Sequence, residues 1–208
     1  PIRIAELARD LIALHGLKAG ADVIKLIATG GLMTPAVEPG SPQLTLEEMR
    51  AAIEEATKAG RRTAAHAQGS TGIADAIEAG ITTIEHGIFL TDEIIASMKR
   101  KGVFLVATLA APAAISAGGL AAGIPDYMVR KSDAVVTAHV ASFRRAHEAG
   151  ARIAAGADSG TPLNPHGSLL PELELMVKYG MTPLEAIRSA TSMAAEALGL
   201  GGETGRLA

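Results

Sequence analysis

Four residues of this 208-residue chain join a reactive side chain to a strand-end position: Lys25, His66, His86 and Asp158. His66 closes the run Thr63-Ala64-Ala65-His66, and His86 closes Thr83-Ile84-Glu85-His86 twenty residues later. A lone histidine in such a place is more often a satisfied structural group. Two neutral imidazoles leaving adjacent strands at one level can instead converge on a metal ion, each at about 2.0–2.1 Å. Asp158 follows Ile153-Ala154-Ala155-Gly156-Ala157 and precedes the turn Ser159-Gly160-Thr161-Pro162, so its carboxylate opens on the same side. The plainer reading is a turn cap made by the aspartate oxygens. Lys25 lies inside Val23-Ile24-Lys25-Leu26-Ile27, where a buried, unpaired ammonium is costly and calls for a carboxylate partner or a chemical change. The chain has no cysteine. Any metal is therefore held by nitrogen and oxygen donors, a set suited to Zn²⁺ or a similar divalent ion.

The elements that must position these residues follow one repeating pattern. A helix-period pattern (Ile4, Leu7, Ala8, Leu11, Ile12) ends at His15-Gly16 and leads to an apolar strand over 21–28. A Gly- and Pro-rich loop over 29–43 follows, then Thr45 with Glu48 three residues on, a capping box that opens a helix to Ala59. The unit recurs as strand 62–66, helix 72–79, strand 82–86, helix 92–101 and strand 103–108, with glycine at each helix-to-strand hinge. A second long loop, 109–125, precedes a helix over 126–149, a strand over 152–157 and two helices, 169–178 and 182–198. Strict alternation with five parallel strands predicts an α/β fold. The long loops all fall at the C-terminal ends of strands, the active face of such folds. A nucleotide-binding doubly wound sheet is disfavoured, because Thr29-Gly30-Gly31-Leu32 runs into Met33 and Pro35 instead of a Gly-x-Gly-x-x-Gly turn and helix.

Composition narrows the class further. Apolar residues make up 48% and aromatics only 2%, so the core must be built from Ala, Val, Ile, Leu and Met, as in a helix-wrapped parallel sheet. The formal charge of -3 is dispersed, which offers no stripe for nucleic acid and no membrane anchor. No apolar run is long enough to span a bilayer, and the N-terminal residues do not form a signal peptide. A small-molecule substrate is the expected partner, with a homo-oligomer left open, and the missing cysteines fit the cytoplasm.

Ile24-Lys25-Leu26 with Thr29-Gly30-Gly31, Ala65-His66-Ala67, Glu85-His86-Gly87 and Gly156-Ala157-Asp158-Ser159-Gly160-Thr161-Pro162 together resemble the amidohydrolase superfamily. The likeness is to its imidazolonepropionase-like and zinc-dependent Xaa-Pro dipeptidase branch, in order, spacing and strand placement, over nearly the whole chain. The resemblance implies a TIM-like (β/α) barrel in which these strands are the fourth to eighth. It implies Zn²⁺ or a similar ion, two per full-length site, with Lys25 carboxylated by CO₂ as a bridge between them. His66 and His86 would hold the second metal. Asp158 would ligate the first and act as general base, and a metal-bound hydroxide would cleave a C–N amide bond in a cyclic amide or a dipeptide. Gln68, Tyr127 and His166, on or beside loops of the active face, are the candidate substrate contacts. His15, His139 and His147 fall on helices, where solvated or packed roles suffice.

One departure stands out. The family's first strand carries a His-x-His pair, and none occurs in this chain. Residues 1–208 are therefore expected to be a single, truncated barrel domain that begins at Pro1 and ends after Leu198-Gly199-Leu200-Gly201-Gly202. Two other readings remain: a mononuclear deaminase-type member in which Lys25 stays an ammonium, and a catalytically incomplete fragment or binding scaffold.

Overall fold

A computed structural model describes residues 16–207. The expected helix through Ile4, Leu7, Leu11 and Ile12 lies outside the described residues. The first strand, β1, is Val23–Ile27, followed by α1 (Leu46–Lys58), β2 (Arg62–Ala67), α2 (Ser70–Ala79), β3 (Thr83–His86), α3 (Asp92–Lys101) and β4 (Phe104–Val106). Then come α4 (Ala110–Gly118), α5 (Asp126–Glu148), β5 (Arg152–Ile153), α6 (Leu170–Lys178), α7 (Pro183–Ala190) and α8 (Ser192–Leu198).

The five strands form one sheet in the order β1-β2-β3-β4-β5, every pairing parallel. A doubly wound sheet reverses its strand order at a switch point. Here the order never reverses, so the sheet is an arc of a (β/α) barrel with most of its helices on the outer side and α8 against the inner side of β4 and β5. Local chemistry supports each unit. The capping box at α1 is present: Thr45 N–H donates to Glu48 Oε2 at 2.8 Å and Glu48 N–H to Thr45 Oγ1 at 3.3 Å. The hinge glycines Gly60, Gly80, Gly102 and Gly150 all take positive φ, between 67° and 98°, which lets each next strand begin within four residues of the end of the helix before it.

Register divides each strand into two faces. Ile24, Leu26, Ala65, Ala67, Ile84, Leu105 and Ile153 point toward the helices and pack with Met49, Ile53, Ile73, Ile77, Ile94, Met98, Phe143 and Met176 into one core. The other face carries Lys25 opposite Ala64, then Ile27 opposite His66 opposite Glu85. That inner face is open at β1. Val23 is 37% exposed and Ile27 53%, whereas Ile24 and Leu26 are each 7% exposed.

Three expectations need correction. Lys25 is not enclosed: it is exposed on the inner face of β1, because an arc of five strands does not close over its own interior. The span 109–125 is not all loop, since α4 occupies Ala110–Gly118. The residue at its N-cap, Leu109, supplies no side-chain cap, so the sequence shows no local start signal. Finally, the helix expected over 182–198 breaks at Thr191 (φ -121°, ψ -92°) into α7 and α8.

Candidate metal and substrate site

His66 and His86 meet at the C-terminal ends of β2 and β3. His66 reaches the inner face by ordinary alternation. His86 does not: its register partner Ala67 faces the core, and a φ of 74° at the last residue of β3 accompanies the turn of its ring into the mouth of the arc. Two further strand-end residues share this left-handed conformation, Thr108 after β4 (φ 55°) and Asp158 after β5 (φ 52°). Such backbone is uncommon outside glycine and persists only where surrounding bonds hold it.

Those bonds are present. The Nε2–H of His139, buried on α5, donates to the carbonyls of His86 (3.0 Å) and Ala107 (2.8 Å), tying together the ends of β3 and β4. Asn164 Nδ2 donates to the Ala157 carbonyl at 2.5 Å and the Asp158 carbonyl at 3.2 Å, and the Thr161 hydroxyl donates to Asp158 O at 2.9 Å. Nothing in local sequence marks His139 as part of the site, and it was expected only to pack or face solvent.

The protonation pattern of the histidine pair follows from its partners. His66 Nε2 lies 3.3 Å from the Gly30 carbonyl, which can only accept, so Nε2 carries the proton and Nδ1 is an acceptor. His86 Nε2–H therefore donates to His66 Nδ1 at 2.8 Å. That leaves His86 Nδ1 to accept from the Thr108 hydroxyl at 2.7 Å. Both rings are neutral near pH 7. Burial is the main cause that pulls His66 below the ordinary histidine range, against the raising effect of the Gly30 carbonyl. Burial likewise holds His86 well below that range, with His66, His139 and Lys25 adding to the effect.

The pair opens on a cavity of about 390 Å³ whose lining includes Lys25, Gln68, Asp158 and, on the apolar side, Leu32, Met33 and Ile88. Gln68 is 2% exposed, and its Oε1 has no hydrogen-bond partner among the described residues. Tyr127 lies elsewhere: its hydroxyl donates to the Met33 carbonyl at 3.0 Å, and it lines a separate groove with Phe89 and Lys131. Beside it, Lys131 Nζ donates to the carbonyls of Thr34 and Val37. Together these two residues staple the loop that walls the cavity onto α5. His166 is exposed, its ring close enough to Gly160 that a Cβ there would stand 2.8 Å from Nε2, and it does not line the cavity. Glu85 was not singled out as a ligand, yet it sits on the inner face in register with His66 and accepts from the Thr83 hydroxyl at 2.5 Å. Burial raises its pKa, opposed by the Thr83 bond and by Lys25.

The donor set fits a divalent ion in part. Movement of the His86 proton from Nε2 to Nδ1, with Thr108 Oγ1 then accepting, frees His86 Nε2 beside the free His66 Nδ1. Two neutral nitrogens 2.8 Å apart are then available as ligands. Among the described residues, no group of three His, Cys, Asp or Glu side chains has converged. Lys25 and Asp158 share the cavity without joining the pair.

Residues 6–208 match the model of the amidohydrolase family. The chain belongs to that family. Aspergillus niger ochratoxinase is 35% identical over 184 residues, 88% of this chain and 37% of the ochratoxinase. The crystal structure of a Xaa-Pro dipeptidase with methionine in its active site superposes with a TM-score of 0.85 at 35% identity, over 91% of this chain and 46% of that one. A prolidase complexed with N-methylphosphonate-L-proline gives a TM-score of 0.88 at 31% identity, over 95% and 48%. The amidohydrolase chain thus spans half or less of the length of these relatives. No helix among its described residues is long and apolar enough to cross a membrane.

Proposed function

We propose that this chain forms part of a metal-dependent hydrolase that cleaves a C–N amide bond, in a dipeptide or a cyclic amide. The observation that carries the reading is the neutral His66–His86 pair, His86 buried and His66 half-buried, opening on the cavity that Lys25, Gln68 and Asp158 also line. The relatives add support: a Xaa-Pro dipeptidase, a prolidase and an ochratoxinase share its sequence and shape.

In this reading His66 Nδ1 and His86 Nε2 are ligands, and Lys25, as a carbamate formed with CO₂, and Asp158 complete the set around two divalent ions, zinc or similar. Such an ion polarises an amide carbonyl and lowers the pKa of water to about 7. Asp158 takes the proton from the attacking water and delivers it to the departing amine nitrogen. Gln68 accepts a substrate N–H through its unpartnered Oε1, a buried acceptor that is costly to leave empty. Tyr127 acts on substrate through the loop it fastens, and His166, outside the cavity lining, reaches substrate from the loop after β5. The absence of cysteine suits a reducing, cytoplasmic setting.

Replacing His66 by Ala in the full-length protein is expected to abolish hydrolysis of dipeptide substrates and to lower the bound metal measured by elemental analysis. Unchanged metal content sinks the assignment. A second reading has its own support: with no three ligands yet converged among the described residues, the 208-residue chain by itself is a binding scaffold, catalytically incomplete. Zinc titration of that chain separates the two, since tight binding shows that its own ligands suffice.

A further inference from the structure

Glu172, on α6, is 0% exposed, and among the described residues no cation pairs with it. Its two carboxylate oxygens instead accept backbone N–H groups at the start of α4: Leu109 N–H donates to Oε1 at 2.9 Å and Ala110 N–H to Oε2 at 2.7 Å. The Thr108 N–H is directed at the same carboxylate. A glutamate from more than sixty positions away thus provides the helix cap that Leu109 lacks. The residue immediately before those amides, Thr108, is the one held at φ 55° with its hydroxyl 2.7 Å from His86 Nδ1.

We infer that Glu172 is a positioning residue for the histidine pair, acting through the turn at Thr108–Ala110 to keep the Thr108 hydroxyl on His86 Nδ1. The role rests on geometry in two respects. First, a buried carboxylate is expensive, and a simple helix cap could have been supplied by Ser, Thr or Asp at position 109 at lower cost. Second, the Thr108 hydroxyl is the one partner that serves His86 in both proton arrangements. It donates to Nδ1 when Nε2–H bonds His66, and it accepts from Nδ1–H when Nε2 turns its lone pair to the cavity. Fixing that hydroxyl therefore decides how readily His86 becomes a ligand.

The metal-binding part of this inference rests on the proposed function, and the test keeps the two apart. In the full-length protein without metal, the ¹⁵N shift of His86 Nδ1 reads the bond from Thr108 directly. Thr108→Val and Glu172→Gln should both move it to the position of an unbonded imidazole nitrogen, and Thr108→Ser should restore it. Glu172→Gln retains one acceptor oxygen and turns an NH₂ toward the other amide. Titrated with Zn²⁺ alone, both variants should bind about tenfold or more weakly, the usual effect of losing the partner of a ligating histidine. The double variant should be no worse than the weaker single one, because both changes remove the same bond. Should Glu172→Gln not fold, Glu172→Asp, which withdraws the carboxylate by one methylene, takes its place with the same expected shifts. An unchanged Nδ1 shift in the Glu172 variant, or losses that simply add in the double variant, overturns the inference. A shift that responds as expected in a protein that binds no Zn²⁺ upholds the Glu172 coupling and removes the metal reading instead.

Discussion

Gly31 stands against the edge of the His66 ring, and a Cβ built there would lie 2.9 Å from Cε1 and 3.0 Å from Nε2. The ring cannot retreat without leaving the Gly30 carbonyl or His86. Gly31→Ala is therefore expected to cut zinc affinity by about tenfold or more while leaving the far-UV circular dichroism unchanged, as a positional effect on a ligand should. Residues of this kind differ in how far the sequence discloses them. His66 and His86 were legible, because each closes a strand of a repeating unit and a one-unit spacing is a local pattern. Asp158 was singled out as the residue after a strand and Gln68 as one beside an active-face loop, and both line the cavity. His139 and Glu172 were not legible, since His139 meets the His86 carbonyl across 53 positions and Glu172 meets Ala110 across 62. No periodicity encodes such contacts.

Elements show the same division. Capping boxes and hinge glycines are chemistry within four residues, so α1, α2, α3 and the turns between them were predictable from Thr45, Glu48, Gly80 and Gly102. By contrast α4 begins without a local cap, and the segment Ala110-Ala111-Pro112-Ala113-Ala114 lacks the polar face that would distinguish a helix from a loop. The helix α5 matters less for its length than for what it ties down: His139 holds two strand ends, and Tyr127 and Lys131 hold the cavity loop. The His139 clamp is also sensitive to acid. Burial lowers its pKa from 6.5 to about 4, so the unfolded chain takes up a proton at pH values where the folded one does not. This contribution to stability is whole above pH 6.5 and is lost as pH falls from 6.5 toward about 4, by roughly 3 kcal/mol. Urea midpoints measured across that range should decline in the wild type and decline less in His139→Gln. Equal slopes would show that another group governs the acid limb.

At the scale of the whole molecule, the sheet has a dense helical outer face and an inner face that is bare at β1 and covered by α8 at β4 and β5. The sequence reading went wrong here in one respect. An unbroken apolar run such as Val23-Ile24-Lys25-Leu26-Ile27 signals a strand covered on both sides, and that places Lys25 in an interior. At β1 only the outer face is covered, and the strand alternates between exposed and buried. Leu26→Ala should therefore cost about 2–5 kcal/mol in denaturant unfolding of the chain. Ile27→Ala, one residue on, should change stability by no more than about 0.5 kcal/mol. Equal losses at both positions would mean that the inner face is covered after all. Fold class, strand number and the face that carries the site all followed from alternation and loop placement, whereas the enclosure of that face did not.

The most direct test of the central claim is anomalous diffraction at the zinc edge from crystals of the full-length protein. A peak within ligand distance, about 2.0–2.1 Å, of both His66 Nδ1 and His86 Nε2 is the predicted result. Zinc bound elsewhere, with the two rings still hydrogen-bonded to each other, would contradict it.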